Sequence, residues 1–174
     1  MKFINKDNTP IFDTFMNKYG QEVNYLYPEL KDVEITVSTL TQEEKESPDE
    51  NNEDSPFVCD VGKNTIKCSD EDCIRCGLNN DEKMALIAHE VGHFVIDRRG
   101  LTPPCPIDEY NEKEEKLADG FAVQVVDEDD LISALQKMAD NISTKNDENE
   151  DWGYPTSKDE KEHFIQRIKN LIEL

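Results

Sequence analysis

Two histidines and a glutamate lie in the pattern H-E-x-x-H at residues 89–93 of this 174-residue chain. Residues four apart on a helix lie one turn apart on the same face, so His89 and His93 could bind one Zn²⁺ through their ring nitrogens. Glu90 would lie beside the open metal position, where it could accept a proton from water that the metal activates. Because short motifs also occur by chance on surface helices, the flanking sequence must support this interpretation.

The sequence around the motif predicts a half-buried helix from Asn79 to Asp97. Asn79 is the predicted N-cap, with Glu82 three residues later, and Gly100 is the predicted stop. His89 and His93 flank the apolar stripe, at the edge where such a helix would meet a cleft. The stripe is formed by Met84, Ile87, Ala88, Val91, Phe94 and Val95.

Gly92 lies in the interior of this predicted helix. Glycine there costs about 1 kcal/mol relative to alanine. A glycine at this position therefore predicts that another backbone passes close to the motif.

Glu115 is the candidate for the third protein ligand of the metal. The segment Asn111 to Val126 predicts another helix, with Asn111 as its cap and Glu114 at the third position of a capping box. Glu115 and Asp119 lie one turn apart on this helix. Glu115 would complete a His₂Glu site, and Asp119 would accept a hydrogen bond from the free N–H of a ligating histidine. The alternative is that Glu115 belongs to a solvated acidic face, since Glu112 and Glu114 precede it.

The two segments H-E-V-G-H at 89–93 and E-K-L-A-D-G-F-A at 115–122 together resemble the gluzincin metallopeptidases. They resemble in particular the ImmA/IrrE-type branch, whose second motif has the form E-x-x-A-[N/D]-x-F-A. The resemblance covers roughly residues 57–126. It implies a zincin-like domain in which His89, His93 and Glu115 bind zinc, Glu90 is the general base and Asp119 orients a ligand.

The composition predicts one acidic, globular domain over residues 1–174. The chain is 36% hydrophobic and 34% charged, with a net charge of −21. This charge disfavours direct binding to nucleic acid or to an anionic membrane, and would suit a basic protein partner. We find neither a signal peptide nor a membrane-spanning run, so the expected location is cytoplasmic. Two acidic segments, at about 41–56 and 143–152, are predicted to be mobile.

The remaining periodicity predicts an α+β fold with a small sheet and further helices around the site helix. The resemblance implies that this fold is zincin-like. A strand next to that helix could bind an extended peptide by edge pairing. The predicted elements are a helix at 10–19 ending at Gly20, a strand at 33–40, a hairpin of 57–61 with 65–68, and helices at 129–142 and 157–174.

Four cysteines precede the site helix, and the sequence is compatible with three alternatives for them. Cys73 and Cys76 have the C-x-x-C-G form of a zinc knuckle, and with Cys59 and Cys68 they could form a second, structural zinc site. A second knuckle is missing, because Cys59 and Cys68 are nine residues apart. The alternatives are free buried thiols and disulfides, of which the latter are rare in the cytosol.

Two functions are compatible with these patterns. The first is a zinc-dependent peptidase that acts on a protein or peptide, with the family resemblance suggesting regulated cleavage of a repressor-like protein. The second is a non-catalytic interaction or assembly protein on a zincin scaffold. The candidates for stabilising an oxyanion are His163, Tyr110 and Tyr154, although His163 lies off the apolar stripe of its helix and is predicted to be a surface residue.

Overall fold

A four-stranded mixed sheet forms one layer of the structure, which is a computed structural model describing residues 1–41, 44, 55–101, 107–142 and 157–173. The strands are β1 (Lys2–Asn5), β2 (Glu34–Thr39), β3 (Phe57–Asp60) and β4 (Thr65–Cys68). The strand order is β1-β2-β4-β3. β1 and β4 run parallel to β2, and β3 runs antiparallel to β4 at one edge.

Six α-helices accompany this sheet in the described part of the chain, so the predicted α+β class is confirmed. No described helix is both long enough and apolar enough to cross a membrane. The helices are α1 (Pro10–Leu26), α2 (Asp70–Arg75), α3 (Asn80–Arg99), α4 (Ile107–Ala122), α5 (Glu128–Asp140) and α6 (Ser157–Ile172), and one 3₁₀ turn covers Pro28–Leu30.

The apolar face of the sheet packs against α1 and α3. Ile35 and Val37 of β2 are fully buried, as their alternation predicted, and Val37 pairs with the buried Ile66 of β4. Phe12 of α1 meets Phe57 of β3 edge to face, with ring centroids 6.1 Å apart. These contacts hold β3 beside α3, which carries the H-E-x-x-H motif.

Helix α3 has the predicted ends but is more deeply buried than predicted. The Asn79 side chain accepts from the Glu82 N–H, the Glu82 carboxylate accepts from the Asn79 N–H, and Gly100 ends the helix in the left-handed conformation. Helix α3 packs against β3 and α1 as well as α4 and α5. It is therefore a central helix rather than the half-buried one that a single apolar stripe predicted.

Three predicted helix boundaries are wrong. Helix α1 continues through Gly20 to Leu26, because Val23 extends its apolar face into the core and this packing outweighs the glycine penalty. Helix α4 begins at Ile107, so Asn111 lies inside it and is not its cap, and it ends at Ala122 rather than at Val126. Strand β1 and the short helix α2 were not predicted. The acidic segments predicted at about 41–56 and 143–152 lie almost entirely outside the described residues.

The close approach predicted from Gly92 is confirmed. A Cβ built on Gly92 would lie 2.7 Å from the carbonyl oxygen of Ala118 and 2.9 Å from its Cα. Both of these are backbone atoms of α4, which cannot rotate away as a side chain can. Helices α3 and α4 are therefore in backbone contact beside the motif.

We expect Gly92→Ala to destabilise the fold by about 1–3 kcal/mol, because the added methyl group overpacks this contact. The matched control is Gly120→Ala, since Gly120 is also helical and a Cβ there meets nothing within 4 Å. The control should be neutral or stabilising by up to about 1 kcal/mol. Urea denaturation of both variants is the measurement, and equal stability of the two would contradict the close contact.

Candidate metal centre

Helices α3 and α4 bring the three predicted ligands together. The Nε2 atoms of His89 and His93 are 3.2 Å apart. Glu115 places one carboxylate oxygen 3.3 Å from the His89 Nε2 and the other 3.4 Å from the His93 Nε2. His89 and His93 lie on adjacent turns of α3, and Glu115 lies on the side of α4 that faces them. The sequence spacing predicts the positions of the two histidines, but the packing of the two helices is needed to bring Glu115 to them.

The spacing of these atoms fits a small tetrahedral metal ion. With metal–ligand distances of 2.0–2.2 Å, neighbouring ligand atoms around tetrahedral zinc lie about 3.3 Å apart. The observed separations of 3.2, 3.3 and 3.4 Å are close to this value, with Glu115 contributing a different oxygen to each of its two contacts. The donor set of two imidazoles and a carboxylate is also one that binds zinc in hydrolytic enzymes, and it leaves a fourth position free.

Asp119 contacts His89 as predicted. Its Oδ1 lies 2.8 Å from the His89 Nδ1, so it accepts a hydrogen bond from this nitrogen and leaves Nε2 directed toward Glu115. Both side chains are buried, with 4% of His89 and 2% of Asp119 exposed. This bond fixes the ring orientation and tautomer of the first candidate ligand.

Arg167 of α6 is a buried cation at the site that was not predicted from the sequence. Its guanidinium bonds both oxygens of Asp119, at 3.0 and 2.7 Å, and also the Glu115 carboxylate at 2.9 Å. The sequence nevertheless indicates that Arg167 is buried, because position 167 lies between Phe164 and Leu171 at helical spacing, on the apolar stripe of α6. A charged residue on a core-facing stripe requires a buried partner.

The charges of this cluster strongly shift its titration. Burial raises the pKa of Asp119, but Arg167 and His89 outweigh it and lower the pKa to about 2. The same groups hold the pKa of Glu115 well below its ordinary value despite burial. Burial and Arg167 oppose protonation of His89, but Glu115 and Asp119 raise its pKa to about 9. Glu115 and Asp119 therefore favour positive charge at His89, which is the kind of charge that a bound metal would also supply.

Glu114 orients the second histidine. Its Oε1 lies 2.9 Å from the His93 Nδ1, which leaves Nε2 for the ligand cluster. The sequence placed Glu114 in a capping box, but α4 starts earlier and Glu114 lies in its interior. Each candidate histidine ligand thus has its own carboxylate partner.

Glu90 and Cys59 lie together on the other side of His93. Glu90 is 8% exposed, and the thiol of Cys59 on β3 lies within 4.8 Å of its carboxylate. Burial raises the pKa of Glu90, while His89 and His93 oppose this shift. Burial and the Glu90 carboxylate raise the pKa of the Cys59 thiol well above its ordinary value. A raised carboxyl pKa is what a general base near neutral pH requires.

The cluster opens into a cavity of about 620 Å³ between β3, α3, α4 and α6. His89, His93, Glu90 and Glu115 all line it. His163 lines it as well and is half-buried, so its prediction as a surface residue is wrong, because α6 turns this face toward the site. Burial and Arg167 lower the pKa of His163. Tyr154 and the Tyr110 side chain lie outside the described residues.

The four cysteines are divided between two places. The Sγ atoms of Cys68 and Cys73 are 3.8 Å apart and buried, whereas Cys59 contacts Glu90. Cys76 is buried and lines the cavity. In the described ranges, no three of these thiols lie within 4.8 Å of one another, and Cys59, Cys68 and Cys73 form no disulfide. A structural zinc held by all four cysteines thus remains a prediction that would require the hairpin to move.

Known proteins add nothing to this geometry. No family model matches the chain, and no curated protein or solved structure matches it. The function must therefore be inferred from the cluster of His89, His93 and Glu115.

Proposed function

We propose that this protein is a zinc-dependent peptidase with a zincin-like catalytic domain, similar to the gluzincins of the ImmA/IrrE type. The observation that carries the proposal is the convergence of His89, His93 and Glu115 at separations of 3.2–3.4 Å. Buried imidazole and carboxylate groups at these distances match the edges of a tetrahedral zinc site. Glu90 lies beside this cluster and faces the same cavity.

Each residue of the cluster has a separate role in this proposal. His89, His93 and Glu115 hold the ion, while Asp119 and Glu114 fix the two imidazole rings. A bound zinc ion supplies Lewis acidity that activates water and polarises the scissile carbonyl.

Glu90 acts as the proton carrier. It accepts the proton from the attacking water and delivers it to the leaving amine. Its burial supports this role, since the raised pKa brings the carboxylate closer to the pH at which both transfers occur. His163 is the described candidate for stabilising the developing oxyanion, because it lines the cavity and its lowered pKa keeps the ring neutral and able to donate.

The expected substrate is an extended polypeptide. In the described part of the chain, β3 is an edge strand, and Phe57, Val58 and Cys59 line the cavity. An edge strand offers unpaired backbone N–H and C=O groups with which an extended segment can pair. A peptide bound along β3 would pass above His93 and Glu90.

Zinc binding is the test of the proposal. The purified chain should bind one tightly held zinc ion at the histidine cluster, and His89→Ala should abolish it, since one of three protein ligands is lost. The matched control is His163→Ala, which removes a cavity imidazole outside the ligand set. Metal analysis and zinc titration are the measurements, with Cys68→Ser/Cys73→Ser used as background to remove the neighbouring thiols.

Absence of zinc after purification, with no binding on addition, would overturn the proposal. Undiminished binding by His89→Ala would show that the ion lies elsewhere. Both results are independent of any substrate.

A further inference from the structure

Cys59 is a potential metal ligand that the proposed hydrolytic mechanism leaves without a role. Ligand atoms of Cys59, Glu90 and His93 all lie within 4.8 Å of one another, and His93 also belongs to the His89, His93 and Glu115 group. The two groups of metal-ligating side chains therefore overlap at one imidazole. An ion held by the histidines would lie within reach of the thiol.

Strand β3 fixes this thiol beside the site. Cys59 pairs with Ile66 across the sheet, and its neighbour Phe57 is buried against Phe12 of α1. Side chains alternate along a strand, so Cys59 shares the face of Phe57 and points toward α3. The Cys59 sulfur lies within 4.8 Å of a Glu90 carboxylate oxygen, which agrees with this direction.

The chemistry of the fourth position favours a thiolate. Zinc binds cysteine sulfur at about 2.3 Å, and neutral imidazole and thiolate sulfur readily share one tetrahedral site. Around such an ion, sulfur and nitrogen lie about 3.6 Å apart. In the described residues, no group of ligand atoms within 4.8 Å joins Cys59 to His89 or Glu115. Coordination would therefore require the Cys59 side chain to rotate toward the histidines.

We infer that Cys59 is the fourth ligand of the metal in the resting protein, giving a closed His₂Glu-Cys site. This inference rests on the proposed function, because it assumes the ion at His89, His93 and Glu115. In the closed site, the thiolate occupies the position that the attacking water requires. Opening of the site would exchange the thiolate for a water molecule that gives the released sulfur its proton, so an incoming peptide along β3 would compete directly with Cys59.

Cobalt substitution tests this inference without any substrate. Co²⁺ bound by a thiolate has a strong near-ultraviolet charge-transfer band that nitrogen and oxygen ligands do not produce. The parent chain with one cobalt per site should show this band, and Cys59→Ser should lose it while retaining the visible bands of tetrahedral cobalt. The matched control is Cys68→Ser/Cys73→Ser, which should keep the near-ultraviolet band.

The zinc affinity of the same variants gives a second readout. Loss of a direct ligand should weaken zinc binding by at least the roughly 10–100-fold that loss of a ligand-orienting partner costs. Cys59→Ser preserves a hydroxyl that can still hydrogen-bond Glu90, so a role in positioning that carboxylate would leave the affinity unchanged. Chelator competition with parent and variant is the measurement.

The outcomes separate the inference from the proposed function. Tetrahedral cobalt bands without the thiolate band, or an affinity unchanged in Cys59→Ser, would overturn the closed site and leave the zinc site standing. A band that survives in Cys59→Ser and disappears in the Cys68/Cys73 variant would also overturn it. No cobalt or zinc uptake at all would overturn the proposed function, and the inference with it.

Discussion

Glu90→Gln should reduce peptide hydrolysis by about 10²–10⁴-fold, the usual contribution of a positioned acid–base group. The amide has nearly the shape of the carboxylate but cannot accept the proton from water. Zinc content and unfolding temperature should remain those of the parent, because Glu90 is not among the three converging ligands. The measurement is cleavage of an internally quenched peptide library by zinc-loaded protein.

The matched control for this prediction is Glu112→Gln. Glu112 is exposed on α4, so the same chemical change there should leave hydrolysis unchanged. If the parent with one zinc cleaves none of the library, the peptidase proposal fails. If Glu90→Gln instead loses its zinc, Glu90 is a ligand and the role of Glu115 is wrong.

Arg167→Ala should destabilise the metal-free protein by about 3–5 kcal/mol, the typical cost of removing one partner from a buried ion pair. Arg167 is 6% exposed, and it bonds to both Asp119 and Glu115. Without Arg167, only the histidines would balance the negative charges of Asp119 and Glu115. Added zinc should restore part of this loss, since the ion places positive charge beside the same carboxylates.

Urea denaturation with and without zinc measures both effects. The control is Arg98→Ala, because Arg98 is exposed on α3 and its loss should change stability by no more than about 0.5 kcal/mol. Asp119→Asn should cost less than Arg167→Ala, since the amide oxygen can still accept from His89. Equal stabilities of Arg167→Ala and Arg98→Ala would show that the guanidinium does not hold the cluster.

The pH dependence of the Arg167 contribution follows from Asp119. Its pKa falls from 3.8 to about 2 on folding, so its ionised form stabilises the native state above pH 3.8 and loses this effect as the pH falls toward 2. The stability difference between parent and Arg167→Ala should therefore be complete above about pH 4 and shrink toward pH 2. A stability difference that stays constant between about pH 4 and pH 2 would show that Arg167 stabilises the fold through something other than its charge.

Local sequence patterns were sufficient to predict the candidate ligands on α3 and the spacing of Glu115 and Asp119 on α4. The capped helix α3, the Glu115 and Asp119 pair and the close approach at Gly92 all follow from periodicity, capping chemistry and the cost of glycine. The first two features depend on residues within about one turn of each other, which is the distance over which sequence rules apply directly. Gly92 predicts a close neighbouring backbone without identifying it.

The missed features depend on contacts between distant elements. Arg167 reaches Asp119 across 48 residues, and Cys59 reaches Glu90 from the sheet. Glu114 was assigned to a cap because the start of α4 was misplaced, and helix boundaries are the least reliable part of such predictions. The packing of α6 and β3 around α3 decides these contacts, and no local rule encodes it.

The backbone contact at Gly92 would also set the size of the ion that the proposed centre accepts. Ala118 lies less than one turn from Glu115, so the distance between α3 and α4 governs how far the carboxylate stands from the two imidazoles. In a well-formed metal site, ligand distances fall within about 0.2 Å of their characteristic values. In the proposed centre, Gly92 would thus act as a spacer without being a ligand, and a bulkier residue there would favour larger divalent ions.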